Sequence, residues 1–186
     1  MAPLRQYEAL TRLLTLARAL DARRRVGILY RDADGEETER EVDALALSWR
    51  GGRWLLAAWC HRRNAFRLFR VDRIARAHVL ATPAAGDGAP PGFDARFFSS
   101  MAYLESGESP PVLVTLRLRA PLSRFARALF PAALLEHPSG GCVLCHLRAT
   151  RLTEFAKLVI SLGKGAELIH PAAARTVVEE LRSAPT

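Results

Sequence analysis

Gly51 to Leu80 reads GGRWLLAAWCHRRNAFRLFRVDRIARAHVL, and the architecture of the chain follows from how its strands alternate. The Gly51-Gly52 pair predicts a tight turn. From Trp54 to Cys60 an unbroken apolar run of strand length ends in a polar cluster, so a buried strand is expected rather than a helix. Alternation puts Trp54, Leu56, Ala58 and Cys60 on one face and Leu55, Ala57 and Trp59 on the other, so both faces need covering. The next run, Phe66 to Arg70, behaves differently. Phe66, Leu68 and Arg70 share one face and Arg67 and Phe69 the other, so an arginine turns inward whichever face is buried. Such a guanidinium needs an anion or a carboxylate to meet it.

Laid out in order, Trp54, Leu56, Cys60, His61, Arg63, Arg67, Phe69, Arg70, Asp72, Arg73 and Ile74 resemble the signature of the WYL domain, found in bacterial transcriptional regulators of the YafY/DeoR-like group. The resemblance extends upstream through Ile28-Leu29-Tyr30 and Val42 to Leu47. Downstream, the C-terminal part resembles the WCX extension that often follows a WYL domain. Two departures stand out: Leu55 occupies the position of the tyrosine that gives the domain its name, and a single helix follows Met1 in place of a winged helix-turn-helix. The resemblance implies an SH3-like or Sm-like barrel and a negatively charged effector, in some members single-stranded DNA.

The bulk properties agree with such a module. The chain has 186 residues, 49% hydrophobic and 25% charged, a globular composition long enough for one large or two small cores. A net charge of +8 favours an anionic partner. Arginine supplies nearly all of it, Lys157 and Lys164 being the lysines, so the clustering of arginines carries more weight than their number. No apolar run approaches the roughly 20 residues of a spanning helix. The N-terminus lacks an apolar signal core, so a soluble, cytoplasmic protein is expected.

In chain order, residues 4 to 22 predict an amphipathic helix with Leu4, Tyr7, Leu10, Leu13, Leu14, Ala17 and Leu20 on its apolar face. A strand over Val26 to Arg31 follows, closed by a turn at Asp32 to Gly35, with a return strand over 37 to 49 bent near Asp43. With the two signature strands and Ala75 to Leu80, these give about five short antiparallel strands, a count that suits a small closed barrel. Residues 81 to 92, dense in Pro, Gly and Ala, predict a linker, and Phe93 to Leu104 a short helical element. Beyond Pro111 the pattern predicts strand (Val112 to Arg119), helix (Pro121 to Phe130), strands (Ala133 to His137 and Cys142 to Ala149), helix (Leu152 to Leu162), strand (Ala166 to His170) and helix (Pro171 to Ser183). This is the ferredoxin-like βαββαβ order. The expected class is therefore α+β, divided into a connecting helix (1–25), a WYL barrel (26–80), a linker (81–110) and a ferredoxin-like WCX domain (111–186).

Among motifs with chemistry, Cys142-Val143-Leu144-Cys145-His146 matches the CxxCH haem-attachment pattern. On a strand, positions three apart face opposite ways and cannot reach one porphyrin edge. Free thiols are expected, with no haem, metal or other cofactor. No GxSxG, Walker loop or GxGxxG is present, and the five histidines lie in separate elements, so nothing argues for an enzyme. The arginine cluster remains. Its functional reading is a groove in which His61, Arg63, Arg67, Arg70 and Arg73 clamp phosphates while Trp59 or Phe66 stacks on a base. In the competing reading, Arg62 and Arg76 face solvent, Arg73 pairs with Asp72 or Asp43, and His61 caps a turn. The expected function is a ligand-sensing regulatory module binding a nucleotide or single-stranded nucleic acid, as a homodimer and away from membranes. The alternative is an interaction module whose arginines meet acidic patches on a partner protein.

Overall fold

A computed structural model describes residues 2–85, 89, 91, 93–94, 98, 104 and 110–183, with side chains from Tyr7 onward. Part of the expected linker, residues 86–88, 90 and 92, and most of the element at 93–104 therefore lie outside the described residues. The chain forms two compact units, Met1–Phe98 and Ser99–Thr186.

The first unit begins with helix α1 (Ala2–Asp21). Leu13, Leu16, Ala17 and Ala19 are buried, whereas Tyr7, expected on the apolar face, is exposed. The buried arc thus belongs to the C-terminal half, where the helix packs on the sheet. Arg23, with φ 49°, ends the helix in the left-handed conformation that a glycine more often takes. Strands β1 (Arg24–Arg31), β2 (Glu37–Arg50), β3 (Arg53–Cys60), β4 (Ala65–Arg70) and β5 (Ile74–Pro83) form one antiparallel sheet in the order β4-β3-β2-β1-β5. Gly51 and Gly52, with φ 55° and 76°, form a two-residue hairpin loop with Arg50 opposite Arg53. Both loop positions need positive φ, which only glycine takes without strain.

Strand β2 is shared between two halves of the sheet. Its first part, to Asp43, pairs with β1, and its second, from Val42, pairs with β3. A bulge between Ala44 and Ala46 bends it close to the expected position. The curl carries β4 round until the Tyr30 hydroxyl on β1 accepts the Arg70 N–H at 3.4 Å and the Tyr30 ring meets Phe69 edge-on at 5.1 Å. The expected closed barrel is not formed among the described residues. A 3-10 turn, Val71–Arg73, joins β4 to β5, which remain the two ends of the sheet. Val26, Ile28, Val42, Leu47, Leu56, Phe69 and Ile74 fill the interior, with Trp49 edge-on to Trp54 at 5.8 Å.

The second unit is a four-stranded antiparallel sheet of β6 (Val112–Leu118), β7 (Leu134–Glu136), β8 (Val143–Ala149) and β9 (Ala166–His170), in the order β7-β8-β6-β9. Helices α3 (Leu152–Ser161) and α4 (Ala172–Ser183) are as expected within a residue or two. The expected helix over Pro121 to Phe130 is instead a 3-10 turn, Leu122–Phe125, followed by a single helical turn α2, Ala126–Leu129. Phe125, at φ −114° and ψ 18°, interrupts the helical path. Leu122, Ala126 and Leu129 still reach the core beside Leu116, Leu118, Cys145, Phe155 and Val159. The chain is thus an α+β protein with two antiparallel sheets.

Candidate nucleic-acid and anion interface

Directly opposed residues of an antiparallel pair project to the same face. The β3–β4 register sets Leu55 opposite Arg70, Ala57 opposite Leu68 and Trp59 opposite Phe66 on the outer face; Leu56 with Phe69 and Ala58 with Arg67 share the inner one. Trp54 and Phe69 are core residues, as expected. Arg70 and Leu55 extend a row through Ser48 of β2, next to the hairpin where Arg50 and Arg53 oppose each other. Arg73 follows in the 3-10 turn and is half-buried. Four arginines therefore gather at this end of the sheet. Asp72 meets Arg70 in a two-point contact at 2.5 and 3.0 Å, and that hydrogen bonding holds the Asp72 carboxyl below its ordinary range. The competing sequence reading paired Arg73 with Asp72 or Asp43; Asp72 instead meets Arg70, and Asp43 meets Arg25 and His61.

His61 lies elsewhere. It follows Cys60, five residue steps along β3 from Leu55, roughly 17 Å at the rise of a strand. Its Nε2 lies 2.9 Å from Asp43 Oδ2, and the Arg25 Nε–H donates to Asp43 Oδ1 at 3.1 Å. The Ala85 N–H adds a third bond, at 3.0 Å. Burial works to raise the Asp43 carboxyl, and the Ala85 N–H, His61 and Arg25 together outweigh it, holding the group below its ordinary 3.8. Arg63 is exposed in the tight turn after His61, and Arg67 is exposed near the edge of the sheet on the inner face. Trp59 is half-buried opposite Asp43. Phe66 packs against Phe93 at 5.5 Å, Phe93 against Phe98 at 5.8 Å, and the Arg50 guanidinium lies 5.0 Å over Phe98. That side of Phe66 is filled by aromatic rings of the same unit.

The six residues singled out from sequence thus fall into two groups: Arg70 and Arg73 at one end of the β3–β4 pair, His61, Arg63 and Trp59 at the other, with Arg67 between them on the opposite face. Arg50 and Arg53, which belong with Arg70, were missed. The signal for them was available in the hairpin: a two-residue Gly-Gly loop makes its flanking residues a cross-strand pair.

A second concave region lies on the outer face of β1, β2 and β5. Glu39, Leu29 and Arg76 form one row across the three strands, and Glu41, Gly27 and His78 the next. Both rows line a pocket of about 720 Å³ that also includes His61 and Arg62. On the second unit, His146 joins the Thr115 hydroxyl at 3.1 Å to Glu136 at 3.1 Å. Thr115 is only 9% exposed, so this chain of polar groups serves the helix-free face of the sheet. Cys145 lies on the helix-covered face, where burial pushes its thiol up to about 12, while Cys142 is half-buried just before β8. No group of three or more His, Cys, Asp and Glu side chains is placed to hold a metal ion among the described residues. No helix among them is long and apolar enough to cross a membrane.

A curled five-stranded sheet carrying this arginine signature, followed by a four-stranded α+β unit, is the arrangement of a WYL domain with a WCX extension. The WYL domain family model matches residues 11–79 and the WCX domain family model residues 110–184. The chain belongs to the WYL-domain proteins that carry this extension. It is similar to the uncharacterized HTH-type transcriptional regulator YobV of Bacillus subtilis (strain 168), with 32% identity over 65 residues, 35% of this chain and 21% of that protein. It is also similar to the DNA-binding transcriptional repressor CapW of Stenotrophomonas maltophilia, with 36% identity over 75 residues, 40% of this chain and 25% of that protein. The matched part is thus a quarter or less of the length of these curated relatives. Among solved structures, proteasome accessory factor B/C (PafBC) of Arthrobacter aurescens aligns over 92% of this chain and 26% of its own, at 24% identity and a TM-score of 0.44.

Proposed function

We propose that this chain is the ligand-sensing part of a cytoplasmic transcriptional regulator, and that its first unit binds a nucleotide or single-stranded nucleic acid through the arginine-bearing face of β3–β4. The observation that carries this reading is the convergence of Arg53, Arg70 and Arg73 at one end of the sheet, with Asp72 paired to Arg70 and Arg50 beside them engaged by Ser48 and Phe98. A guanidinium group in excess over carboxylate offers charge-assisted, two-point contacts to phosphate. Arg63 and Trp59 lie toward the other end of the same strand pair, so a ligand that uses both ends spans several phosphates; Arg67, on the opposite face, and His61, held by Asp43, stand outside that surface. We read the first unit, with its core over 26–80, as an SH3-like or Sm-like barrel left open at one seam. The strand order of the second unit, 111–186, supports a ferredoxin-like reading. The regulators YobV and CapW support placing the module in transcription control, acting by binding rather than catalysis.

The test is low-salt binding of labelled single-stranded oligonucleotides to the protein and to the Arg70→Ala/Arg73→Ala double variant. Each lost charge-assisted bond contributes about 1.5–3 kcal/mol, so the double change is expected to weaken binding at least a hundredfold, with thermal stability retained. Affinity of the unaltered protein should fall steeply with salt. Oligonucleotide binding that ignores both salt and these arginines, or no binding at all, overturns the reading in favour of a protein-interaction module.

A further inference from the structure

The pocket on the outer face of β1, β2 and β5 is not part of the arginine face of β3–β4. Its two sides present different groups, with His61 and Arg62 also in the lining beside Glu41. Glu39 and Glu41 project from β2; Arg76 and His78 project from β5; β1 lies between them as the floor, with Leu29 and Gly27. The rims are two inter-strand spacings apart, roughly 10 Å. Glu39, Arg76 and His78 make no ion pair among the described residues, while Glu41 meets Arg25 through one carboxylate oxygen at 3.1 Å. The floor is shaped by the glycine: a Cβ at Gly27 would stand 2.4 Å from His78 Cε1. The His78 imidazole therefore occupies the space that any other residue would fill, reaching across β1 toward the acidic rim.

We propose that this pocket binds a nucleoside phosphate whose base edge donates hydrogen bonds, with the phosphate at Arg76 and His78 and the base edge at Glu39 and Glu41. The volume of about 720 Å³ lies in the range of small-molecule sites. Two opposed rims select a molecule that is anionic at one end and rich in N–H groups at the other. A carboxylate is an acceptor only, so it favours an edge with two adjacent N–H donors, as in guanine. It disfavours an edge where two carbonyl oxygens flank a single donor, as in uracil. The choice of a nucleotide as the molecule carrying both ends rests on the reading under Proposed function; the location and the polarity of the site do not.

The experiment is titration calorimetry of the full chain with GMP, UMP and inorganic phosphate. GMP is expected to bind at least tenfold more tightly than either of the others. Arg76→Ala/His78→Ala should weaken GMP tenfold or more, as expected for losing charge-assisted hydrogen bonds. Glu39→Gln should erase the preference for GMP over UMP. Gly27→Ala, which retains the fold but displaces the His78 ring, should also weaken GMP, whereas Arg70→Ala/Arg73→Ala should leave it unchanged. GMP binding no tighter than phosphate overturns the proposal, as does GMP binding that survives at Arg76/His78 and is lost at Arg70/Arg73. If oligonucleotides still bind through Arg70 and Arg73 when GMP does not bind, this site falls and the earlier reading stands. The reverse pattern separates the two the other way.

Discussion

Asp43→Ala removes the acceptor at the centre of a buried polar group. The Asp43 side chain is 4% exposed and carries bonds from Arg25, His61 and the Ala85 N–H. Breaking a buried pair from one side costs about 3–5 kcal/mol because the remaining charge is left without a partner. Arg25 retains Glu41 and is 19% exposed, which places the loss near the lower end, about 3 kcal/mol. The assay follows from the placement of tryptophan. Trp49, Trp54 and Trp59, all three in the chain, lie in the first unit, so urea unfolding followed by tryptophan fluorescence reads that unit alone. With slopes of about 1–3 kcal/mol per molar urea, the midpoint should fall by roughly 1–3 M. Asp72→Ala is the control, since its exposed pair with Arg70 is worth roughly 0–1 kcal/mol. The pH dependence has a definite sign. The carboxyl is depressed in the folded protein, so its contribution is present above the ordinary value of 3.8 and is lost as pH falls through the lower, folded value. The gap between the two proteins is therefore full at neutral pH and closes in acid. A midpoint shift for Asp43→Ala no larger than that for Asp72→Ala would refute the reasoning.

Two further outcomes follow from the cysteines and from the family tyrosine. Alkylation of the native protein at pH 8 should modify Cys142 first and leave Cys145 protected, because burial holds that thiol at about 12; Cys60 is likewise buried. Mass spectrometry should show one adduct before denaturation and three after, and rapid modification of Cys145 in the native state would contradict its placement. Leu55→Tyr puts a phenol directly opposite Arg70 and should tighten oligonucleotide binding if the ligand is of the type usual in the family. An unchanged affinity, measured by the same titration, would show that Leu55 suits a ligand with no need of that hydroxyl.

The strands were legible because alternation and the Gly51-Gly52 loop fix both faces and register locally. The bend of β2 near Asp43 was expected, but not the single extra residue that makes it, Leu45, nor a sheet that curls with β4 and β5 left as its two ends. For the same reason the arginines were read as one groove: their spacing in sequence says nothing about the roughly 17 Å of strand that separates His61 from Arg70. The acidic rim was visible as Glu37, Glu39, Glu41 and Asp43 at every second position. Its basic counterpart could not be read, because pairing Gly27 with both Glu41 and His78 requires knowing that β1 is the central strand of that trio. The segment after Pro121 was misread for a physical reason too. Leu122, Phe125, Ala126 and Leu129 have helical spacing, and a 3-10 turn followed by one α-turn delivers nearly the same side chains to the core.

The meeting of β4 with Tyr30 ties the arginine face to the interior of the first sheet. There the end of β4 is held by the hydroxyl contact of 3.4 Å, by the ring contact and by the three-residue turn that leads into Ile74, the residue paired with Tyr30. Arg70 supplies the N–H that Tyr30 accepts while its guanidinium stands on the outer face, so a group gripped there sits one residue from the packed Phe69–Tyr30 pair.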